Sequence, residues 1–208
     1  RRSHLAESVT RLVIAPACEP GVCGPAQNSH KSPWECEAGA ELEALDVPVP
    51  PLEDTSFLLL LSKLSSLTSF TWASNRPPPA SLCPALGTTA KALQSFTLDL
   101  TATQDRWDAP HLSLLPTTVT RLDLSQLSLE GVRSLATATA ALPAIEHLRL
   151  SRTMFVDDQL LEALAEEGKL RTLSIVEMHG TKLTDKGLVS IFEGCDALDA
   201  LELSEIGR

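Results

Sequence analysis

The apolar positions of this chain fall into a recurring order: an apolar residue, two variable positions, a second apolar residue, one variable position and a third. The order stands at Leu198/Leu201/Leu203, Leu170/Leu173/Ile175, Ile145/Leu148/Leu150, Val119/Leu122/Leu124, Leu93/Phe96/Leu98 and Leu67/Phe70/Trp72, with successive starts 28, 25, 26, 26 and 26 residues apart. A seventh copy, Val9/Leu12/Ile14, lies 58 residues before the next, one period plus about 32 residues. A single match of spacing carries little, but a fixed period held along the chain is the signature of stacked supersecondary units.

Each copy reads as a short strand, and the segments between copies carry helical spacing. Asp157-Asp158 open the run QLLEALAEE, which closes at Gly168, and Thr184-Asp185 open KGLVSIFE, which closes at Gly194. Asp and Thr cap the free N–H groups at a helix start, and Gly supplies the left-handed turn at its end. A short strand and one amphipathic helix cannot bury their apolar faces alone, so the copies must stack. The period lies within that of leucine-rich repeats. The expected fold is therefore an α/β leucine-rich-repeat horseshoe, a right-handed solenoid with a parallel inner sheet of about seven strands and outer helices. It runs over 1–208 as a single domain, with 16–52 a Pro-rich acidic insertion between the first and second repeats. Seven prolines in that insertion remove backbone donors and its charge opposes collapse, which predicts little regular structure there.

Composition sharpens this picture in three places. The 208 residues, 43% of them hydrophobic, suffice for a sizeable core, while the longest apolar run, Phe57 to Leu61, is far short of the ~20 residues that cross a bilayer. The start RRSHLAESV lacks the apolar segment of a secretory signal, which points to a cytoplasmic or nuclear protein. The net charge of −10 argues against nucleic acid as a partner, and it is concentrated: residues 19–54 hold eight acids against Lys31 alone. Five cysteines, an odd number, read as reduced thiols; Cys18, Cys23 and Cys36 fall in the insertion, Cys83 and Cys195 in helical contexts.

The unit Leu183-Thr184-Asp185-x-Gly187-Leu188, then Gly194-Cys195, then Leu198-x-x-Leu201-x-Leu203, resembles the cysteine-containing repeats of F-box/leucine-rich-repeat proteins, the substrate receptors of cullin-RING ubiquitin ligases. Phe155-Val156-Asp157-Asp158-x-Leu160-Leu161 is a looser copy, and SKLSSLTSFTWASNRPPPASLCPALG resembles the degenerate repeats of fungal F-box-like proteins. The resemblance covers roughly residues 55–208. It implies a protein substrate and a Skp1-type adaptor bound through an F-box upstream of Arg1, since no F-box-like pattern occurs in the chain. Leu127 and Met178 depart from the family, standing where such repeats often carry Cys or Asn. Both ends of the chain read as cut edges of the array, which predicts self-association or reduced stability of the isolated chain.

No sequence signature of an enzyme is present: no Gly-x-Ser-x-Gly elbow, no phosphate-binding glycine loop, no His-Glu-x-x-His. The expectation is a binding protein with no catalytic residue, metal or cofactor. Cys18, Cys23, His30 and Cys36 offer zinc-type ligands at unsuitable spacing, so a small zinc or enzymatic protein built on the insertion is the lesser alternative, and an intracellular scaffold without a ubiquitin link the nearer one. Asp157-Asp158 and Glu166-Glu167 are explained by helix ends, and Trp72 by an inward strand position.

Strand alternation sends the positions between the leucines, such as Arg121, Asp123 and Ser125, to the open face of the sheet. Most are small, but Arg121, Asp123, His147 and Arg149 cluster on two central strands with Asp99 beside them. These five are the candidate binding residues. They form either a solvated Arg–Asp lattice of little consequence or a polar patch framed by small residues. Because arginine pairs in a fork with carboxylate or phosphate, an acidic or phosphorylated segment is the favoured ligand.

Overall fold

The computed structural model describes residues 9–14, 54–74, 76–100, 105–176 and 182–204, the side chains of 54–56 excepted. The insertion expected at 16–52, with Cys18, Cys23, His30 and Cys36, lies outside the described residues, as does Met178.

Seven strands, β1 Arg11–Ile14, β2 Ser69–Ala73, β3 Ser95–Asp99, β4 Arg121–Ser125, β5 His147–Ser151, β6 Thr172–Val176 and β7 Ala200–Ser204, form one all-parallel sheet in strict chain order. The register follows the apolar pattern. Leu12, Phe70, Phe96, Leu122, Leu148, Leu173 and Leu201 pair in one continuous row, and Ile14, Trp72, Leu98, Leu124, Leu150, Ile175 and Leu203 in the next. A slip by one residue would turn every one of these side chains to the opposite face, so the repeat itself locks the pairing. Strands β2, β3, β5 and β6 alternate half-exposed and buried residues along their whole length.

The buried face is covered by helices α1 Asp54–Leu61, α2 Leu82–Thr89, α3 Leu129–Thr139, α4 Asp158–Glu167 and α5 Asp185–Gly194, whose buried apolar side chains, leucines in the first four and Ile191 in α5, share one core with the strand leucines. Aromatic rings reinforce the N-terminal half: Phe70 stacks on Phe96 at 5.8 Å, Phe96 on Trp107 at 6.3 Å, and Phe57 meets Trp72 edge-on at 5.8 Å. Trp72 belongs to the core, as its inward position predicts.

Three details depart from the sequence reading. Between β3 and β4 the helical segment shrinks to a 3-10 turn, Leu112–Leu114. Pro110 and Pro116 fence it, and left-handed Ala109 and His111 leave no room for a full helix. Gly168 does end α4 in the left-handed conformation, at φ 64°. Gly194 does not: it lies within α5, and a Cβ there would stand 2.6 Å from the Ala165 carbonyl oxygen, so glycine is required because two helices touch. Ser125, expected on the open face, is 2% exposed; its Oγ accepts a 2.6 Å bond from the Leu100 N–H, one residue past the end of β3.

Candidate binding face

In-register pairing turns scattered polar residues into two straight rows on the open face. One runs Arg121, His147, Thr172, Ala200 and the other Asp123, Arg149, Ser174, Glu202. Neighbours within a row stand about one strand spacing apart, ~4.8 Å. Together with Leu122, Leu148 and Leu173, these eight residues line a cleft of ≈100 Å³. Four of the five sequence-derived candidates therefore share one depression. Asp99 does not line it, although its charge reaches Asp123. The cleft extends further toward β7 than the charged cluster suggested, because Thr172, Ser174 and Ala200 leave room that larger side chains would fill. Glu202 was legible as an outward position on the last strand; what the sequence could not give is that it shares a cleft with arginines two and three strands away.

The electrostatics are unusual for a cluster of opposite charges. Among the described residues, no ion pair or hydrogen bond engages the Asp123 carboxylate. Burial pushes its pKa above the usual carboxylate range, with Asp99 adding to the rise and Arg149 and Arg121 opposing it. Asp123 thus feels both arginines through their charge without an ion pair to either. Ion pairing occurs instead at the strand entrances, where Arg171 meets Glu146 at 3.5 Å and Asp199 at 3.7 Å. His147 Nδ1 lies 2.9 Å from Thr172 Oγ1, and burial, followed by the Arg121 cation, holds the imidazole below its ordinary pKa. Ser174 Oγ donates to Glu202 at 2.7 Å, tying that carboxylate across β6 and β7.

The cleft offers guanidinium donors on β4 and β5 and carboxylate acceptors at Asp123 beside Arg149 and at Glu202 on β7. Its ≈100 Å³ is below the ~300–1,000 Å³ of small-molecule sites, so it fits the ends of side chains rather than a cofactor. Among the described residues no His, Cys, Asp and Glu group is arranged to hold a metal ion. The described cysteines are buried, and burial pushes the Cys83 thiol up to about 12 and raises Cys195 also, which keeps both protonated and unreactive at neutral pH. Among the described residues no helix is long and apolar enough to cross a membrane.

The paired acids at the start of α4 are accounted for without a ligand. Asp157 caps its own helix through the Leu160 N–H at 3.2 Å, and Asp158 reaches the next unit, accepting from Thr184 N at 2.8 Å and Thr184 Oγ1 at 2.6 Å. Asp108 and Ser128, which caps α3, repeat this clasp one unit pair earlier.

Searches of the chain against models of known protein families and against curated proteins find no match.

Proposed function

We propose that the chain is a leucine-rich-repeat horseshoe that works as a protein-binding module, taking a segment of a partner protein on the open face of its sheet. The observation that carries this reading is the cleft across β4 to β7, where Arg121, Arg149 and Asp123 are aligned by the register yet make no ion pair with one another. Charged groups that a fold aligns but leaves unpaired are available to a partner, and the small Ser and Thr beside them permit close approach.

The finer reading is the substrate-recognition part of an F-box-type ubiquitin-ligase receptor, supported by the likeness of the Leu183–Leu203 unit to that family's repeats. The alternative is a scaffold of the same fold without a ubiquitin link. Affinity purification of the natural full-length protein separates them: a Skp1-type adaptor in the complex supports the receptor, and its absence from an otherwise intact partner complex supports the scaffold.

The binding face has its own test. Reversing Arg121→Glu and Arg149→Glu together is expected to abolish partner capture while moving the unfolding midpoint by little, because Arg121 is exposed, Arg149 half-buried, and neither makes an ion pair among the described residues, so each contributes only about 0–1 kcal/mol to stability. Capture that persists in the double variant would move the site to the helices, and a large loss of stability would make the arginines structural.

A further inference from the structure

The last unit departs from its predecessors in a direction that the repeat does not explain. Counted from the residue that caps each helix, Ser128, Asp157 and Thr184, the eighth following position is Ala136 in α3, Ala165 in α4 and Phe192 in α5, and the fifth is Arg133, Glu162 and Val189. Phe192 is 61% exposed and Val189 49%. Positions that hold a small or a charged residue in earlier units thus hold exposed apolar side chains in the last. A solenoid end that faces only water needs the opposite, a polar outer surface.

The rest of this face is what each earlier unit hides beneath the next. At the fourth position after the cap, Val132 and Leu161 are buried and Leu188 only partly; on the strands, Leu148 and Leu173 are buried and Leu201 only partly. Leu188, Val189 and Phe192 follow Asp185 at spacings of three, four and seven, which puts the four on one stripe of α5. That stripe is not shaped for a further helix stacked as α5 stacks on α4. There, Gly194 sits against Ala165 so closely that a Cβ on it would stand 2.7 Å from the Ala165 Cβ. The small seat that Ala165 gives to α5 is occupied, at the matching position of α5 itself, by a phenyl ring.

Charge narrows what can cover the face. The stripe begins at Asp185 and ends beside Glu193 and Asp196, and none of these three carboxylates has an ion pair or hydrogen bond among the described residues. Lys186 of α5 is held by Glu162 of α4 at 2.7 Å. A second copy docked symmetrically would set acid against acid in either helix direction, on a chain of net charge −10. Basic residues on either side of an apolar group would instead neutralise both ends of the stripe.

We infer that the outer face of the last unit, the Leu188–Phe192 stripe of α5 beside the free edge of β7, docks a segment of a partner protein whose apolar side chains are flanked by lysine or arginine. β7 pairs with β6 alone, so its outer edge leaves room for that segment. This surface is separate from the open face of the sheet, and the inference does not depend on that face binding anything.

The test is fluorescence anisotropy of labelled peptides against the full 208-residue chain. The probe is Lys-Lys-Leu-Phe-Ala-Leu-Lys-Lys; one comparator carries Glu for every Lys, the other Ser for every apolar residue. The probe is expected to bind about tenfold tighter than either, the order that one well-buried apolar side chain or a few exposed charge contacts supply. Phe192→Ser should weaken it about tenfold, and Glu193→Lys with Asp196→Lys about threefold to fivefold. Arg121→Glu with Arg149→Glu, on the open face, should not weaken it. Because Phe192 is exposed, Phe192→Ser should keep the thermal midpoint; where it does not, Val189→Ser gives the same readout. Equal binding of the Glu-flanked peptide, binding that ignores both Phe192→Ser and Val189→Ser, or no binding of any peptide overturns the inference. So does a chain that sediments as a dimer and becomes monomeric with Phe192→Ser, which would make a second copy the occupant.

Discussion

Asp123 and Asp158 are the same residue type in two regions of one molecule, and their pKa values move in opposite directions. Asp158, on the helix layer, accepts hydrogen bonds from the side chain and backbone of Thr184, and these hold its pKa below the ordinary carboxylate value. Asp123, on the open face, has no such donor among the described residues, and burial raises its pKa despite two nearby arginines. Asp158 has closed its polar contacts within the chain; Asp123, among the described residues, has not. The two carboxylates are thus told apart by their hydrogen-bond partners, even though both stand beside compensating groups.

If the helix layer carries stability and the open face does not, the largest effects should come from the helices. Gly194→Ala forces a methyl group to within 2.6 Å of the Ala165 carbonyl oxygen and 2.7 Å of its Cβ, between α4 and α5. Overpacking of this kind costs about 1–3 kcal/mol, to be read as a lower thermal midpoint. Partner capture per folded molecule should not change, and a fall in capture would show that the two faces are coupled.

Asp158→Ala comes next, at about 1–2 kcal/mol, for a charged acceptor of two hydrogen bonds at a partly exposed site. The pH dependence fixes its sign. The folded pKa lies below the unfolded value of about 3.9, so the unfolded chain binds the proton more readily. The stabilisation is then fully present above that unfolded pKa and is lost as pH falls through the folded one. Wild type and variant should differ at pH 7 and converge in strong acid; a constant difference across that range would mean that the alanine acts through packing.

The sheet was legible because its signal is redundant. Three apolar anchors per unit, repeated seven times, predict each strand, and the register then follows, since a slip would bury Arg121 or His147 in place of Leu122 and Leu148. The candidate residues were legible for the same reason, as the positions left between anchors. What stayed hidden depends on contacts between units. The role of Gly194 against Ala165, the bond from Leu100 to Ser125 and the clasp from Asp158 to Thr184 all join residues at least 25 positions apart, with no local motif to mark them. The shortened turn at Leu112–Leu114 is different in kind, because Pro110 and Pro116 announce it and periodicity alone overlooked them. The extent of the cleft toward Glu202 needed both the register and the sizes of Thr172, Ser174 and Ala200 taken together.

The smallest expected effect is the sharpest test of the comparison. Asp123→Asn keeps the shape of the side chain and removes its charge. The folded pKa of Asp123 lies above the unfolded one, so the folded chain holds the proton more readily. The favourable contribution is present in full below the unfolded pKa and is lost as pH rises through the folded value, which leaves the ionised carboxylate a net cost at pH 7. Asparagine removes that cost, and the midpoint should rise slightly, by the equivalent of about half a kcal/mol or less for a partly exposed site. The rise should fade in acid, where the wild-type residue is protonated whether folded or not. Asp158→Ala and Asp123→Asn would then shift stability in opposite directions at neutral pH. A loss of stability in Asp123→Asn comparable with that of Asp158→Ala would mean that the open-face carboxylate is engaged within the chain after all, and the case for a cleft held open to a partner would lose the acid at its centre.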